Sequence, residues 1–215
     1  MDIYKLRPLS ICDTNSFVVA SNAGNAVLID APADADYILS SIEGKGLTLK
    51  KILLTHGHFD HVGAVADLAE RTGCEVLIHE DDLPKLTDLS AMLCGFFRVK
   101  GLRTYDGAKA FADGDIITQD ELEFEVVHTP GHTSGSVCFI IEDVMFTGDT
   151  LFKRSMGRTD MPDGDEAAMM RSLRLIGSLG EDFRVLSGHT PETTLGDERK
   201  YNYYLKSACE AAGDY

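Results

Sequence analysis

Residues 51–61 read KILLTHGHFDH, and this stretch decides how the rest of the chain is read. Lys51–Thr55 has the character of a buried strand. The next six residues, His56-Gly57-His58-Phe59-Asp60-His61, bring together three histidines and an aspartate. At ordinary residue frequencies, a chance HxHxDH in a chain of this length is rarer than about one in a thousand. Residues two apart in an extended chain project to the same side, so His56, His58 and Asp60 are expected to point together. His61 then opens the following helix and reaches the same point from a second direction, while Asp60 is also placed to cap that helix. Four such side chains exceed what one tetrahedral zinc site needs alongside water, so the surplus points to two metals.

Working outward, the flanking segments read as mixed α and β structure. Ser16–Ala20 and Ala26–Ile29 form strands of a hairpin around Asn22-Ala23-Gly24-Asn25. Asp34 caps a helix with Ile38, Leu39 and Ile42 on one face, closed by Gly44 and Gly46. After the histidine motif, Val62, Val65, Ala66 and Ala69 have helical spacing up to Gly73, and Glu75–His79 reads as the next strand, completing a β-α-β unit. Leu83, Leu86 and Leu89 suggest a short helix. Met92, Leu93, Phe96 and Phe97 form an apolar cluster without a clear period, so residues 81–107 read as core packing, an interface, or a lid over the site. Glu121–His128, Ser136–Ile141, Asp143–Phe146 and Phe183–Leu186 read as strands, with helices marked by Met169, Leu173 and Ile176 and by Tyr201, Tyr204, Leu205 and Ala208. No linker or repeat interrupts the pattern, which predicts one α/β domain over 1–215. Its two halves each run strands and then a helix.

Composition narrows the function classes. The 215 residues carry 20 Lys+Arg against 35 Asp+Glu, a net charge of −15. So acidic a chain is not drawn to phosphate backbones or anionic membrane surfaces, and nucleic acid and membranes are excluded as expected partners. No apolar run reaches the roughly 18 residues of a membrane span, and the opening MDIYKLRPLS is not expected to be a signal peptide. The five cysteines, Cys12, Cys74, Cys94, Cys138 and Cys209, contain no CxxC pair. Reduced thiols in a cytoplasmic protein are expected, and a zinc finger is not.

Three further candidate ligands share one setting, a glycine-containing turn just past a strand. His132 follows Pro130-Gly131, Asp149 follows Gly148, and His189 follows Ser187-Gly188. Taken singly, a histidine after a strand is most often a satisfied core or surface residue, and that reading is kept for His79 and His128. Asp149 alone suits a turn. Seven candidates in matched settings point instead to a metal centre at one sheet edge.

THGHFDH, PGHTSGS, FTGDTLF and LSGHTPETT resemble, in order and spacing, the successive motifs of the metallo-β-lactamase superfamily, over essentially the whole chain. The resemblance implies a four-layer αββα sandwich with the metal site at one edge of its two sheets. It is strongest toward the glyoxalase II-like hydrolases. By motif position it implies that His56, His58 and His132 bind one metal, that Asp60, His61 and His189 bind the other, and that Asp149 bridges them. The best-known zinc β-lactamases carry cysteine at the position of Asp149 and usually lack His61, so antibiotic hydrolysis is not the expectation. The usual glyoxalase II has a C-terminal helical domain that helps to bind glutathione. Residues 190–215 suffice for one helix but not for that domain.

The implied cofactors are two divalent ions, zinc foremost, with iron or manganese also suited to imidazole and carboxylate ligands. Such a pair acidifies a shared water, and the bridging hydroxide attacks the acyl carbon of a small-molecule thioester of the S-lactoylglutathione type. Asp60 and Asp149 are the residues assigned to catalysis, Asp60 first as a ligand and then as a proton shuttle. Arg158, in GRTD, is read either as half of a structural Arg-Asp pair or as a contact for a substrate carboxylate. Asp30, in LIDAP, is either a turn residue before Pro32 or a support for a metal-bound imidazole. Two alternatives stay open. One is a mononuclear iron persulfide dioxygenase using His56, His132 and Asp149, whose relatives share a GRTD-type segment. The other is a lactone hydrolase of the same fold. A nuclease is disfavoured by charge, and a silent scaffold by the filled ligand positions.

Overall fold

Alternation along the strands sends successive side chains into two different cores, and this builds the layers. The computed structural model describes residues 1–210. The first sheet runs in chain order through β1 (Asp2–Lys5), β2 (Phe17–Ala20), β3 (Asn25–Ile29), β4 (Thr48–Leu53), β5 (Glu75–His79) and β6 (Lys109–Phe111). The pairs are antiparallel up to β3 and parallel from β3 to β6. Its outer face carries α1 (Ala35–Glu43), α2 (Phe59–Val62) and α3 (Val65–Thr72). The second sheet contains β7 (Ile116–Gln119), β8 (Leu122–His128), β9 (Val137–Ile141) and β10 (Val144–Gly148). A short hairpin, β11 (Leu151–Phe152) with β12 (Ser155–Met156), leads to α4 (Glu166–Gly177). Then β13 (Arg184–Ser187) and β14 (Thr193–Thr194) complete the sheet in the order β14-β13-β10-β9-β8-β7, and α5 (Leu195–Tyr201) and α6 (Tyr203–Glu210) follow.

Phe17, Val19, Val27, Ile29 and Leu53 point from the first sheet onto Phe124, Val126, Phe139 and Phe146 of the second. Their neighbours Val18, Ala26, Leu28 and Ile52 turn the other way, onto Ile38, Ile42 and Leu68 of α1 and α3. On the far side, Cys138, Met145 and Val185 pack against Met169, Leu173 and Ile176 of α4 and Leu205 of α6. Each buried Val, Leu, Ile, Phe or Met among them contributes about 1.5–3 kcal/mol of transfer free energy. The result is the four-layer αββα sandwich that the resemblance implies.

Several local expectations are corrected. β4 spans Thr48–Leu53 rather than Lys51–Thr55. Beyond Leu53 the backbone leaves the strand, and the Thr55 N–H donates to the Asp30 carboxylate at 2.8 Å. Asp60 therefore does not share an extended chain with His56 and His58; it sits in the first turn of α2. The helix expected after the motif is split, because the loop after β3 intercepts its backbone. The Ala31 N–H donates to the His61 carbonyl and the Ala64 N–H to the Ala31 carbonyl, both at 2.8 Å. At Gly63 a Cβ would lie 2.2 Å from the Pro32 carbonyl oxygen. The last helix is also split at Asn202, and Tyr201 and Tyr204 face solvent while Leu205 and Ala208 are buried. Within 81–107 the leucine run gives a 3₁₀ turn at Leu83–Thr87. Met92, Leu93 and Cys94 are then buried, and Phe96 is exposed.

Parallel pairing fixes where the site forms. Register aligns Ile29 with Leu53, and Gly148 with Ser187. The residues just past β3, β4, β10 and β13 thus emerge side by side at one edge of both sheets.

Candidate metal centre

All seven predicted ligands meet at that edge. His56, His58 and His132 form one group whose ligand atoms lie within 4.8 Å of one another, and Asp60, His61 and His189 form a second on the same criterion. Asp149 stands between them. Its Oδ2 is 3.5 Å from His132 Nε2 and 3.2 Å from His189 Nε2, and its Oδ1 is 3.4 Å from His61 Nε2. Within the second group, His61 Nε2 lies 3.3 Å from His189 Nε2; within the first, His58 Nδ1 lies 2.9 Å from His132 Nε2.

Three of the imidazoles, His61, His132 and His189, are aimed by a contact at the other nitrogen. Asp30 Oδ2 takes His61 Nδ1 at 2.7 Å while the same carboxylate accepts the N–H and hydroxyl of Thr55. Asp30 is buried and holds φ 58°, so its turn geometry and its hold on His61 are one arrangement. His132 Nδ1 bonds the Arg158 carbonyl at 2.9 Å, and His189 Nδ1 the Cys12 carbonyl at 3.1 Å. Asp60 Oδ2 accepts the Thr14 hydroxyl at 3.2 Å. At Gly188 an added Cβ would fall 2.3 Å from Asp149 Oδ1 and 2.9 Å from His61 Cε1, so only glycine lets β13 pass this close.

The electrostatics divide the cluster. Burial and neighbouring imidazoles, chiefly His61 and His132 for His56 and His132 for His58, push both well below the ordinary histidine range. For His61, burial works against the charge, but the Asp30 and Asp149 carboxylates outweigh it and hold the group well above that range. Burial likewise opposes ionisation of Asp149, yet His61 and His189 keep its carboxyl well below the usual carboxylate value. Among the described residues, two buried polar side-chain atoms lack a hydrogen-bond partner, His56 Nε2 and Asp149 Oδ1. A buried polar atom left unpaired costs about 1–3 kcal/mol. Both face the cluster, and the donor set of imidazole nitrogens and carboxylate oxygens suits divalent first-row metals, so these residues fit a metal pair.

A cleft of about 380 Å³ opens over the cluster, walled by Phe59, Leu93, Phe97, Phe152, Met156 and Met161. Arg158 reaches its rim, and its guanidinium is bound in two places to Asp160, at 2.6 and 2.8 Å. His79 and His128 lie outside the cluster, stacked on each other at 4.1 Å, with His128 Nε2 on the Ser134 carbonyl.

Asp82 went unnoticed in the sequence. Its side chain is fully buried and accepts the Gly57 N–H at 2.7 Å, the Gly135 N–H at 2.9 Å and the Thr133 hydroxyl at 2.9 Å, and it pairs with Lys85. One carboxylate thereby ties the loop of His56 and His58 to the loop of His132. Lys85 also bonds Asp163 at 2.6 Å. An acid placed before a proline-containing turn carries no periodic signal; only its three-dimensional partners reveal it. Asp82→Ala is expected to lower stability by about 3–5 kcal/mol, as when one partner of a buried ion pair is removed. Metal affinity should fall roughly 10- to 100-fold. Thermal melting and zinc titration would read the two effects separately; unchanged affinity would mean that the clamp does not position the ligands.

Residues 9–189 match the metallo-beta-lactamase superfamily. The chain is 34% identical over 207 residues to a hydroxyacylglutathione hydrolase, GloC, of Haemophilus influenzae, covering 94% of this chain and 98% of the relative. Among solved structures, the B3 metallo-β-lactamase BLEG-1 superposes with a TM-score of 0.89 at 34% identity, covering 95% of this chain and 99% of that one. The di-iron-bound form of TTHA1623 superposes with a TM-score of 0.81 at 36% identity, covering 94% and 99%. With its motifs, its sandwich and its edge cluster in place, the chain belongs to the metallo-β-lactamase superfamily.

Proposed function

We propose that this protein is a dinuclear metal-dependent hydrolase of thioesters of the hydroxyacylglutathione type. The observation that carries the proposal is the pair of three-ligand groups joined through Asp149 at the floor of an apolar cleft. The relation to a hydroxyacylglutathione hydrolase over nearly the full length of both chains supports the substrate class.

His56, His58 and His132 would hold one metal and Asp60, His61 and His189 the other, with Asp149 shared. A bound pair would supply a water nucleophile at neutral pH and a Lewis acid for the acyl oxygen. The chain's own part is orientation and exclusion. Asp30, the Arg158 carbonyl and the Cys12 carbonyl each fix one imidazole, so little is left to reorganise as charge develops. Phe59, Phe152 and Met156 keep bulk water from the floor. The reaction adds water across the C–S bond: a carbon–oxygen bond forms, the thiolate leaves, and protons released from water reach sulfur and solvent. A thiolate leaves without strong acid assistance, so Asp60 serves first as a ligand.

The proposal extends to the setting: a single domain acting on a small molecule in the cytoplasm, using zinc foremost. The −15 charge argues against nucleic acid and anionic lipid as partners. Among the described residues no helix is long and apolar enough to cross a membrane. A mononuclear dioxygenase centre would leave the Asp60-His61-His189 group without a purpose.

The test is a panel of S-lactoylglutathione, a simple acyl thioester, a lactone, a β-lactam and glutathione persulfide, given to metal-loaded and chelator-stripped protein. Thiol release from the thioesters, lost on stripping and restored by divalent metal, is expected. Oxygen uptake with persulfide and no thiol release from thioesters would put the dioxygenase first; turnover confined to the lactam or the lactone would replace the substrate class.

A further inference from the structure

The cleft has one side chain cation outside the imidazole cluster, Arg158, and Asp160 already neutralises it through two bonds. Apart from Ser155, the remaining wall is apolar. On one side, Leu93 and Phe97 are contributed by the segment after the 3₁₀ turn, with the Phe97 ring 5.1 Å from that of Phe59. On the other side stand Phe152 and Met156 of the β11–β12 hairpin, with Met161 behind.

Both sides are fastened to the metal centre's own scaffold. The Phe59 N–H, at the start of α2, donates to the Met92 carbonyl at 3.0 Å, so the first wall is tied to the helical turn that carries Asp60 and His61. The hairpin is gripped from beneath by α5. Asn202, fully buried, donates to the carbonyls of Phe152 at 3.1 Å and Ser155 at 2.9 Å. Glu198, also fully buried, accepts the Arg154 N–H at 2.7 Å and the Asn202 amide at 3.0 Å. The stretch GDERKYN thus serves to hold a wall of the cleft. A pre-formed apolar wall rewards an apolar ligand without an ordering cost.

We propose that this cleft selects thioesters whose acyl group ends in an uncharged apolar arm, with Phe97, Phe152 and Met156 as the residues that measure it. The proposal rests on the hydrolase reading and narrows it. A carboxylate-terminated arm meets only an ion pair already closed on itself, and it loses its hydration against the wall.

The experiment uses S-acyl thioesters of N-acetylcysteamine, an uncharged thiol, with acetyl, butanoyl, hexanoyl and succinyl groups, on metal-loaded protein. kcat/KM should rise by up to about fourfold per methylene, the equivalent of 0.8 kcal/mol per buried CH₂, until the cleft is filled. Succinyl should fall at least tenfold below butanoyl, which has the same chain length. Phe97→Ala and Met156→Ala should flatten the chain-length slope and lower hexanoyl turnover more than acetyl. A flat slope in the unmodified protein, or succinyl at or above butanoyl, would overturn the proposal. Binding of acetate and hexanoate, followed by calorimetry, separates this result from the wider reading. If no thioester is hydrolysed but hexanoate binds tenfold or more tighter than acetate, the arm specificity stands and the thioester assignment falls. Equal binding of the two sinks the arm specificity whatever the turnover.

Discussion

His189→Ala should reduce bound metal from two ions per chain towards one and cut turnover roughly a thousandfold, about 4 kcal/mol of barrier. His189 completes the group with Asp60 and His61, and its Nε2 lies 3.4 Å from Asp60 Oδ2 and 3.2 Å from Asp149 Oδ2. Without it, that group keeps one imidazole and one carboxylate beside the shared Asp149. The fold should survive, because the side chain sits in a turn at the sheet edge, is 22% exposed, and outside the cluster gives up a bond to the Cys12 carbonyl. Circular dichroism and a melting curve check that point. His128→Ala is the histidine control: that ring stacks on His79 outside the cluster, so the variant should still hold two metals. Elemental analysis decides the matter. A His189→Ala protein with two metals and full activity, beside a His56→Ala protein lacking both, would leave the second group without a role and favour the mononuclear alternative.

Asp149→Asn should be more severe, with less than one metal retained and turnover down by at least about a thousandfold. The amide keeps the volume of the carboxylate, so Gly188 and the β10–β13 edge need not move. What is lost is the charge that both groups share. The carboxylate lies 3.2–3.5 Å from His61, His132 and His189, and among the described residues it is the acid that touches both halves of the centre. Gly188→Ala should act in the same direction and more weakly, since its Cβ must displace Oδ1 from 2.3 Å. If zinc titration shows two tight sites in Asp149→Asn, the carboxylate is not shared between the metals.

Both predictions concern residues legible in the sequence, and the reason is local. HxHxDH concentrates four ligand-type side chains in six residues, and His132, Asp149 and His189 each follow a strand through a glycine turn. That pattern announces its chemistry before any packing is known. The β-rich runs of β2, β3 and the second-sheet strands are equally local, and they mark the strands themselves. β1 escaped notice because it is a partly exposed edge strand, with no apolar face to read.

Where the signal depended on distant partners, it was absent or misplaced. The sequence alone had Asp60 on an extended chain; its place in a helical turn depends on a loop after β3 that takes the backbone bonds around His61. For Asp30 the sequence supports two readings, and the carboxylate's place 2.7 Å from His61 Nδ1 decides between them. Asp82, Glu198 and Asn202 had no motif of their own, yet they clamp the ligand loops and the cleft wall. By itself the sequence determined the identity of the candidate ligands and a metal chemistry, since these follow from residue type and short-range spacing, while the sandwich and the grouping of the ligands were implied by the resemblance of its motifs to a known family. Only the tertiary structure decided what aims the imidazoles of His61, His132 and His189 and what walls the cleft. Those depend on groups brought together from segments up to 177 residues apart, as with His189 and the Cys12 carbonyl, and such pairings are set by sheet register and burial rather than by any local pattern.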